Sequence, residues 1–416
     1  MPQGIANEVV EYKDELIEIR RKIHQNPELG FQEFETAKLI QDYLEKLNIP
    51  FESEIAKTGI VATIEGKEPG KTILLRADMD ALPLEEDIEL DFKSTNHGVM
   101  HACGHDTHVT CMLGAAKLFS QKKDQFKGTI KLVFQPAEEG SKLYDPSGKI
   151  PGGALPMIQE RPDIFGTAED PKIDGVLALH IVAGEDDADQ IGKIGVKDGA
   201  FTGSADEFYI TIQGKGGHGS APHEAIDPVY IASQVNVVLQ GYLSRTVDPM
   251  EPHVFTIGKI EGGFRQNIIS ETCRMEGTLR TLNAELREKL VETIPKVIKS
   301  TAQTFGGDAE VEIFRGYPVG TNDAEINRHL RKTAVELYGE DIIEEVEAQL
   351  GAEDFYEFGF KNTIPISMFW LGGGNQDKGW TANNHSNYFA IDEDALPMGT
   401  ALLVGTAISF LNDEST

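Results

Sequence analysis

The sequence predicts an α/β protein with a largely parallel sheet, interrupted by a smaller α+β insert. Three observations carry this. Short Ile/Val/Leu-rich runs alternate with stretches of helical periodicity through the first half. Each of several polar clusters follows directly on one of those apolar runs, where open α/β sheets bind ligands. Between about 200 and 315 the pattern changes to β-α-β-β-α-β, the split βαβ unit of ferredoxin-like folds.

The elements follow in order. Glu8 to Gln25 carries Val9, Tyr12, Leu16, Ile19 and Ile23 at helical spacing and stops before Asn26-Pro27. Phe34 to Leu47 repeats the pattern. Gly59–Ile64, Thr72–Arg76, Thr129–Phe134 and Val176–Ile181 are apolar runs bounded by Gly, Pro or Asp, as buried strands are. A helix is expected over Thr107–Ser120. In the insert, Asp206–Gln213, His253–Ile260, Ile268–Leu282 and Ala309–Phe314 read as strands, and Ala225–Leu243 and Leu286–Phe305 as helices. Helix Glu325–Tyr338, strand Ile366–Leu371 and helix Ala395–Phe410 complete the larger domain. The expected boundaries are 1–199 with 316–416 for that domain and 200–315 for the insert.

The chain has 416 residues, 68 acidic and 38 basic, for a formal charge of −30. Such a surface repels nucleic acid and anionic lipid, and no Lys/Arg-rich run offsets it. A solvated surface accounts for the excess; adaptation to high salt is the sharper reading of it. No run approaches the ~20 apolar residues of a membrane span. The N-terminal residues lack the basic and apolar regions of a signal peptide. Three cysteines without CxxC spacing give no disulfide framework. A cytoplasmic location follows as the expectation.

Four clusters carry chemistry. Asp78 and Asp80, in Arg76–Pro83, follow a buried strand, where carboxylates need partners or a metal. His101, Cys103, His105 and His108 crowd into eight residues of a chain with 11 His and 3 Cys. Cysteine thiolate and imidazole are ligands that zinc favours. His97 and His101 read as structural, and Cys111 and Cys273 as packing residues. Glu138-Glu139 follows a strand and Pro136; one carboxylate can bind metal while the other moves a proton. His180 ends a strand and His385 lies in a polar loop. With Cys103, His105 and Glu139 they make five ligands, enough for two ions sharing a bridging group. In the insert, glycines flank His218, and Asn267 and Arg280 flank a strand; an Arg there can hold a carboxylate.

Together the motifs at 76–83, 100–108, 135–140, 214–223, 351–355 and 384–386 resemble the co-catalytic zinc peptidase and aminoacylase family. The amidohydrolase branch is most similar, with its N-acyl-amino-acid and hippurate hydrolases, plant indole-acetyl-amino-acid hydrolases and archaeal metallocarboxypeptidases. The resemblance implies a zinc-exopeptidase-like three-layer α/β/α catalytic domain with a ferredoxin-like lid and dimerisation domain. It implies two divalent ions per subunit, with zinc favoured and Mn²⁺ or Co²⁺ as alternatives. Cys103 would bridge them, and His105, Glu139, His180 and His385 would complete the ligands. Glu138 would be the general base and then acid, and Asp80 would orient a ligand from behind. His218 would stabilise the oxyanion in the partner subunit's site, while Asn267 and Arg280 would bind the substrate's carbonyl or carboxylate. A homodimer or dimer-based tetramer is expected. Leu143–Pro151 and Ile164–Pro171 stand out as extra loop.

The implied reaction is hydrolysis of the amide bond of N-acyl amino acids or of C-terminal residues of short or blocked peptides. A dipeptidase is the alternative within the family. A non-catalytic metal-binding relative would lack Glu138 or a ligand, and none is missing. A dinuclear phosphoesterase would need phosphate-holding Lys or Arg beside the ligands, and the sequence has none there.

Overall fold

The computed structural model describes residues 2–140, 152–360 and 362–414. The chain divides into two compact units. One comprises Met1–Gly199, Thr321–Glu347 and Asp354–Thr416; the other comprises Ala200–Gly320 and Ala348–Glu353. The short stretch 348–353, assigned to the larger domain from sequence, sits in the second unit. There Gly203 N–H donates to Gly351 O at 2.7 Å and Gln349 N–H to Phe201 O at 2.9 Å. No periodicity marks such a strap. The extra loop Leu143–Pro151 lies outside the described residues. Ile164–Pro171 begins in a helical turn, and Gly166 pairs with Pro171 across a bridge.

The first unit opens with helices α1 (Pro2–Val10), α2 (Lys13–His24) and α3 (Phe34–Lys46). The single helix expected over 8–25 breaks at Glu11–Tyr12. Glu11 and Tyr12 donate to the carbonyls of Glu8 and Val9, three residues back, which tightens and ends α1. Strands β1 (Phe51–Ile55), β2 (Gly59–Glu65) and β3 (Thr72–Asp78) follow, then α4 (His105–Gln121) and β4 (Thr129–Gln135). Strand β1 escaped the sequence reading because Glu52 and Glu54 leave it no apolar run. Helices α5 (Ala154–Glu160) and α6 (Pro162–Phe165) lead to β5 (Gly175–Val182), β6 (Ile194–Val196) and β7 (Gly199–Thr202).

The second unit holds β8 (Asp206–Gln213), β9 (Gly217–His218), α7 (Pro228–Thr246), β10 (His253–Gly262), β11 (Ile268–Ile269), β12 (Thr272–Thr281), α8 (Ala284–Thr304) and β13 (Asp308–Arg315). Its antiparallel sheet runs β10-β12-β8-β13, the ferredoxin-like order. Asp227 and Asn283 cap α7 and α8 by accepting from the first free backbone amides. Phe208, Ile210 and Ile212, alternating inward along β8, meet Ile231, Val235 and Leu239 of α7 and Leu290, Ile294 and Ile298 of α8. Each such side chain contributes about 1.5–3 kcal/mol when fully buried.

The chain then runs through β14 (Gly320–Asn322), α9 (Ala324–Tyr338), β15 (Ile343–Glu345), β16 (Ile366–Gly372) and α10 (Ala395–Leu411). The sheet of the first unit has the order β1-β2-β4-β3-β5-β16-β6-β15. It is mixed rather than largely parallel: β4, β3, β5 and β16 are parallel, while β2 and β6 flank them antiparallel. Helices α4 and α10 are buried along most of their lengths and pack against the central strands. Strands β3, β4 and β5 point the same way, so the ends that carry Asp78, Gln135 and His180 meet at one edge.

Candidate metal centre

Cys103 sits just before α4, and His105 is the first residue of that helix. Gly104 between them has φ +84°, and an added Cβ would lie 2.2 Å from Ile181 Cγ2, so no side chain fits there. This turn aims Cys103 and His105 at the ends of β4 and β5. Cys103 Sγ lies 3.5 Å from His180 Nε2 and 3.3 Å from His385 Nε2. His385 Nε2 is 3.0 Å from Glu139 Oε1. The loop carrying His385 is pinned by its own N–H, which donates to Ala102 O at 2.8 Å.

Two donor triads result, Cys103–His105–His180 and Cys103–Glu139–His385, each with its ligand atoms within 4.8 Å of one another. Cys103 belongs to both. His105 Nδ1 faces Asp80 Oδ1 at 3.1 Å, while its buried Nε2 has no hydrogen-bond partner among the described residues and lies 3.6 Å from Asp78 Oδ2. His180 Nδ1 donates to Ile181 O at 2.8 Å, which turns the Nε2 lone pair towards Cys103. A ring held at one nitrogen and open at the other is how a metal-bound histidine is oriented. Burial and then the carboxylates of Glu139 and Glu138 push the Cys103 thiol well up, a surplus of negative charge that suits cations. The donor set fits a pair of divalent ions.

Asp80 does more than face His105. Its two oxygens also accept the backbone N–H groups of Glu138 and Glu139, both at 3.0 Å. Glu138 is buried, with Oε2 4.0 Å from His105 Nε2.

Behind these residues lies a charged network whose roles the sequence reading missed. Arg76, fully buried in β3, pairs with Asp78, donates to Gln135 Oε1 at 2.8 Å and reaches Asp354 Oδ1 at 3.1 Å. Asp78 also holds His108, whose Nε2 accepts from Ile181 N–H at 2.8 Å. Burial alone would raise the Asp78 carboxyl, but Arg76, His105 and His108 outweigh it and hold it well below its usual range. An arginine inside an otherwise apolar strand was the available signal. His97 is exposed beside Glu85, and buried His101 has no hydrogen-bond partner at either ring nitrogen among the described residues.

In the second unit, β9 and β11 pair antiparallel with Ile268 opposite His218, and Gly219 N–H donates to Asn267 O at 2.9 Å. His218 and Asn267 are therefore neighbours. His218 is exposed, and its Nδ1 accepts from Ser220 N–H at 3.1 Å. An acceptor at Nδ1 puts the ring proton on Nε2. Arg280 lies on β12 instead, with its guanidinium 3.5 Å from Leu350 O.

The sequence pattern of Peptidase family M20/M25/M40 matches residues 74–409. The chain is 40% identical over 412 residues to thermostable carboxypeptidase 2 of Saccharolobus solfataricus, covering 99% of both chains. It is 34% identical over 397 residues to N-acetylcysteine deacetylase of Bacillus subtilis, covering 95% of this chain and 97% of that one. Among solved structures, a dinuclear metal binding peptidase of Bacillus subtilis aligns with a TM-score of 0.80 at 32% identity, covering 96% of this chain and 99% of that one. Fold, donor set and likeness define a metal-dependent hydrolase of amide bonds. The chain belongs to Peptidase family M20/M25/M40.

Proposed function

We propose that this hydrolase acts on N-acyl amino acids or on the C-terminal residue of short or blocked peptides. Two zinc ions would be held by Cys103, His105, Glu139, His180 and His385. The observation that carries this reading is Cys103 Sγ, common to two donor triads, with the buried Glu138 carboxylate beside them. When bound, such ions polarise the scissile carbonyl and acidify water. Glu138 takes the proton of the attacking water on its carboxylate and delivers it to the leaving nitrogen. Its backbone N–H, fixed on Asp80, keeps that carboxylate in place.

His218 donates its Nε2–H to the developing oxyanion of a second copy's site, and Asn267 and Arg280 hold the substrate's carbonyl and carboxylate. The second unit serves as lid and dimerisation domain. Its exposed Val237, Ile260 and Phe264 support a homodimer. The three unpaired cysteines accord with a cytoplasmic setting. Among the described residues, no helix is long and apolar enough to cross a membrane.

The test is a panel of N-acetyl, N-benzoyl and carbobenzoxy amino acids against dipeptides, on chelated protein reloaded with Zn²⁺, Mn²⁺ or Co²⁺. Turnover of the acyl substrates is expected only after reloading. Activity confined to dipeptides would make the protein a dipeptidase. For the lid, His218→Ala lowers kcat by about 10²–10³-fold, the effect of one oxyanion donor, with metal content unchanged. Mixing it with Glu138→Gln protein, each inactive alone, regenerates activity in hybrid dimers. Silence of the mixture, with hybrids shown to form, would remove the action in trans.

A further inference from the structure

Glu33 is fully buried at the N-cap position of α3, yet its side chain caps nothing. Glu28 does that work instead, accepting from Glu35 N–H at 3.0 Å and Thr36 N–H at 2.9 Å. The Glu33 carboxylate is thereby free to reach another part of the chain. Its Oε1 accepts from Ala137 N–H at 2.9 Å, and its Oε2 accepts from the Thr58 hydroxyl at 2.6 Å. Burial and then the charge of Asp80 raise this carboxyl to about 7.

Ala137 stands immediately before Glu138-Glu139 and has φ +50°, the left-handed region that non-glycine residues enter at about 1–2 kcal/mol. Its carbonyl accepts from Gly140 N–H at 3.3 Å and Gly153 N–H at 3.1 Å. Gly30 presses on it from the same segment as Glu33: an added Cβ at Gly30 would meet Ala137 Cβ at 2.8 Å. Three successive amides, 137 to 139, thus end on two buried carboxylates, the first on Glu33 and the next two on Asp80.

We propose that Glu33 is a positioning residue for amide hydrolysis, holding Ala137 left-handed so that the turn aims Glu138 and Glu139 at the metal centre. This rests on the reading of Glu138 as general base. Without the acceptor, Ala137 relaxes to negative φ, and both carboxylates swing with it. Displacement of a reacting group by about 1 Å costs on the order of 10²-fold in rate.

The test compares Glu33→Met, which fills the volume without an acceptor, with Glu33→Gln, which keeps one, and with Ala137→Gly in both backgrounds. Glu33→Ala replaces the methionine variant if the latter does not fold. Glu33→Met lowers kcat about 10²-fold with KM within a few-fold of wild type. Glu33→Gln stays within about 10-fold, and so does Glu33→Met with Ala137→Gly, because glycine takes positive φ without strain. Melting temperatures are recorded for all variants, since loss of packing alone is not relieved by glycine. A kcat defect that neither the glutamine nor the glycine relieves would overturn the proposal. Wild-type kcat in Glu33→Met beside an inactive Glu138→Gln overturns this proposal alone. Full activity in Glu138→Gln overturns the general-base reading and this proposal with it.

Discussion

Glu138→Gln is expected to lower kcat by about 10²–10⁴-fold, the range set by a positioned acid–base group. The substitution keeps the shape of the side chain and leaves the backbone N–H of residue 138 on Asp80. It replaces none of the five proposed ligands, so metal content is expected to stay at the wild-type level. The amide of glutamine can neither take a proton from water nor return one to the leaving nitrogen, so both halves of the reaction suffer. Elemental analysis and steady-state rates on the same preparation decide the matter. A metal-replete variant with wild-type kcat would remove Glu138 from the chemistry.

Arg76→Met carries the largest expected effect on stability. The guanidinium is fully buried and is shared by Asp78, Gln135 and Asp354. Removing it takes the guanidinium from two buried carboxylates of the first unit and leaves Asp78 to the imidazoles of His105 and His108. Breaking a buried pair on one side costs about 3–5 kcal/mol, more than the pair itself contributes. Calorimetry should show the transition of the first unit moving down and that of the second staying in place. Adding Asp78→Asn and Asp354→Asn should recover part of the loss, since neutral amides need no counter-ion. A loss under about 1 kcal/mol in the single variant would mean that the carboxylates find other partners.

Much of the candidate site was legible because four of the five proposed ligands carry a local mark, while loop-borne His385 is read only together with them. Cys103 and His105 flank a glycine at a helix start, Glu138-Glu139 follows an apolar strand, and His180 lies within one. Glu33 and Arg76 carry no such mark. Glu33 meets Ala137 at a separation of 104 residues, and Arg76 meets Asp354 at 278. Their sense lies in tertiary contacts that no window of sequence contains. The same holds for the fold. The long helices and apolar strands announce themselves, whereas charged β1 does not. Nor do the short β6 and β15, whose three residues show no period.

Cys103 and His385 stand 282 residues apart in the chain, and they belong to the discontinuous unit. That separation bears on how the protein forms. Closing so long a loop carries an entropic charge that must be met before its contacts reward it, which slows folding. The ferredoxin-like segment is nearly continuous and can collapse while the chain is still emerging. The first unit must wait for α9, β16 and α10, and until then its β3 and β5 expose apolar faces. The proposed ligand set is therefore complete only after almost the whole chain has been made, since His385 comes 282 residues after Cys103.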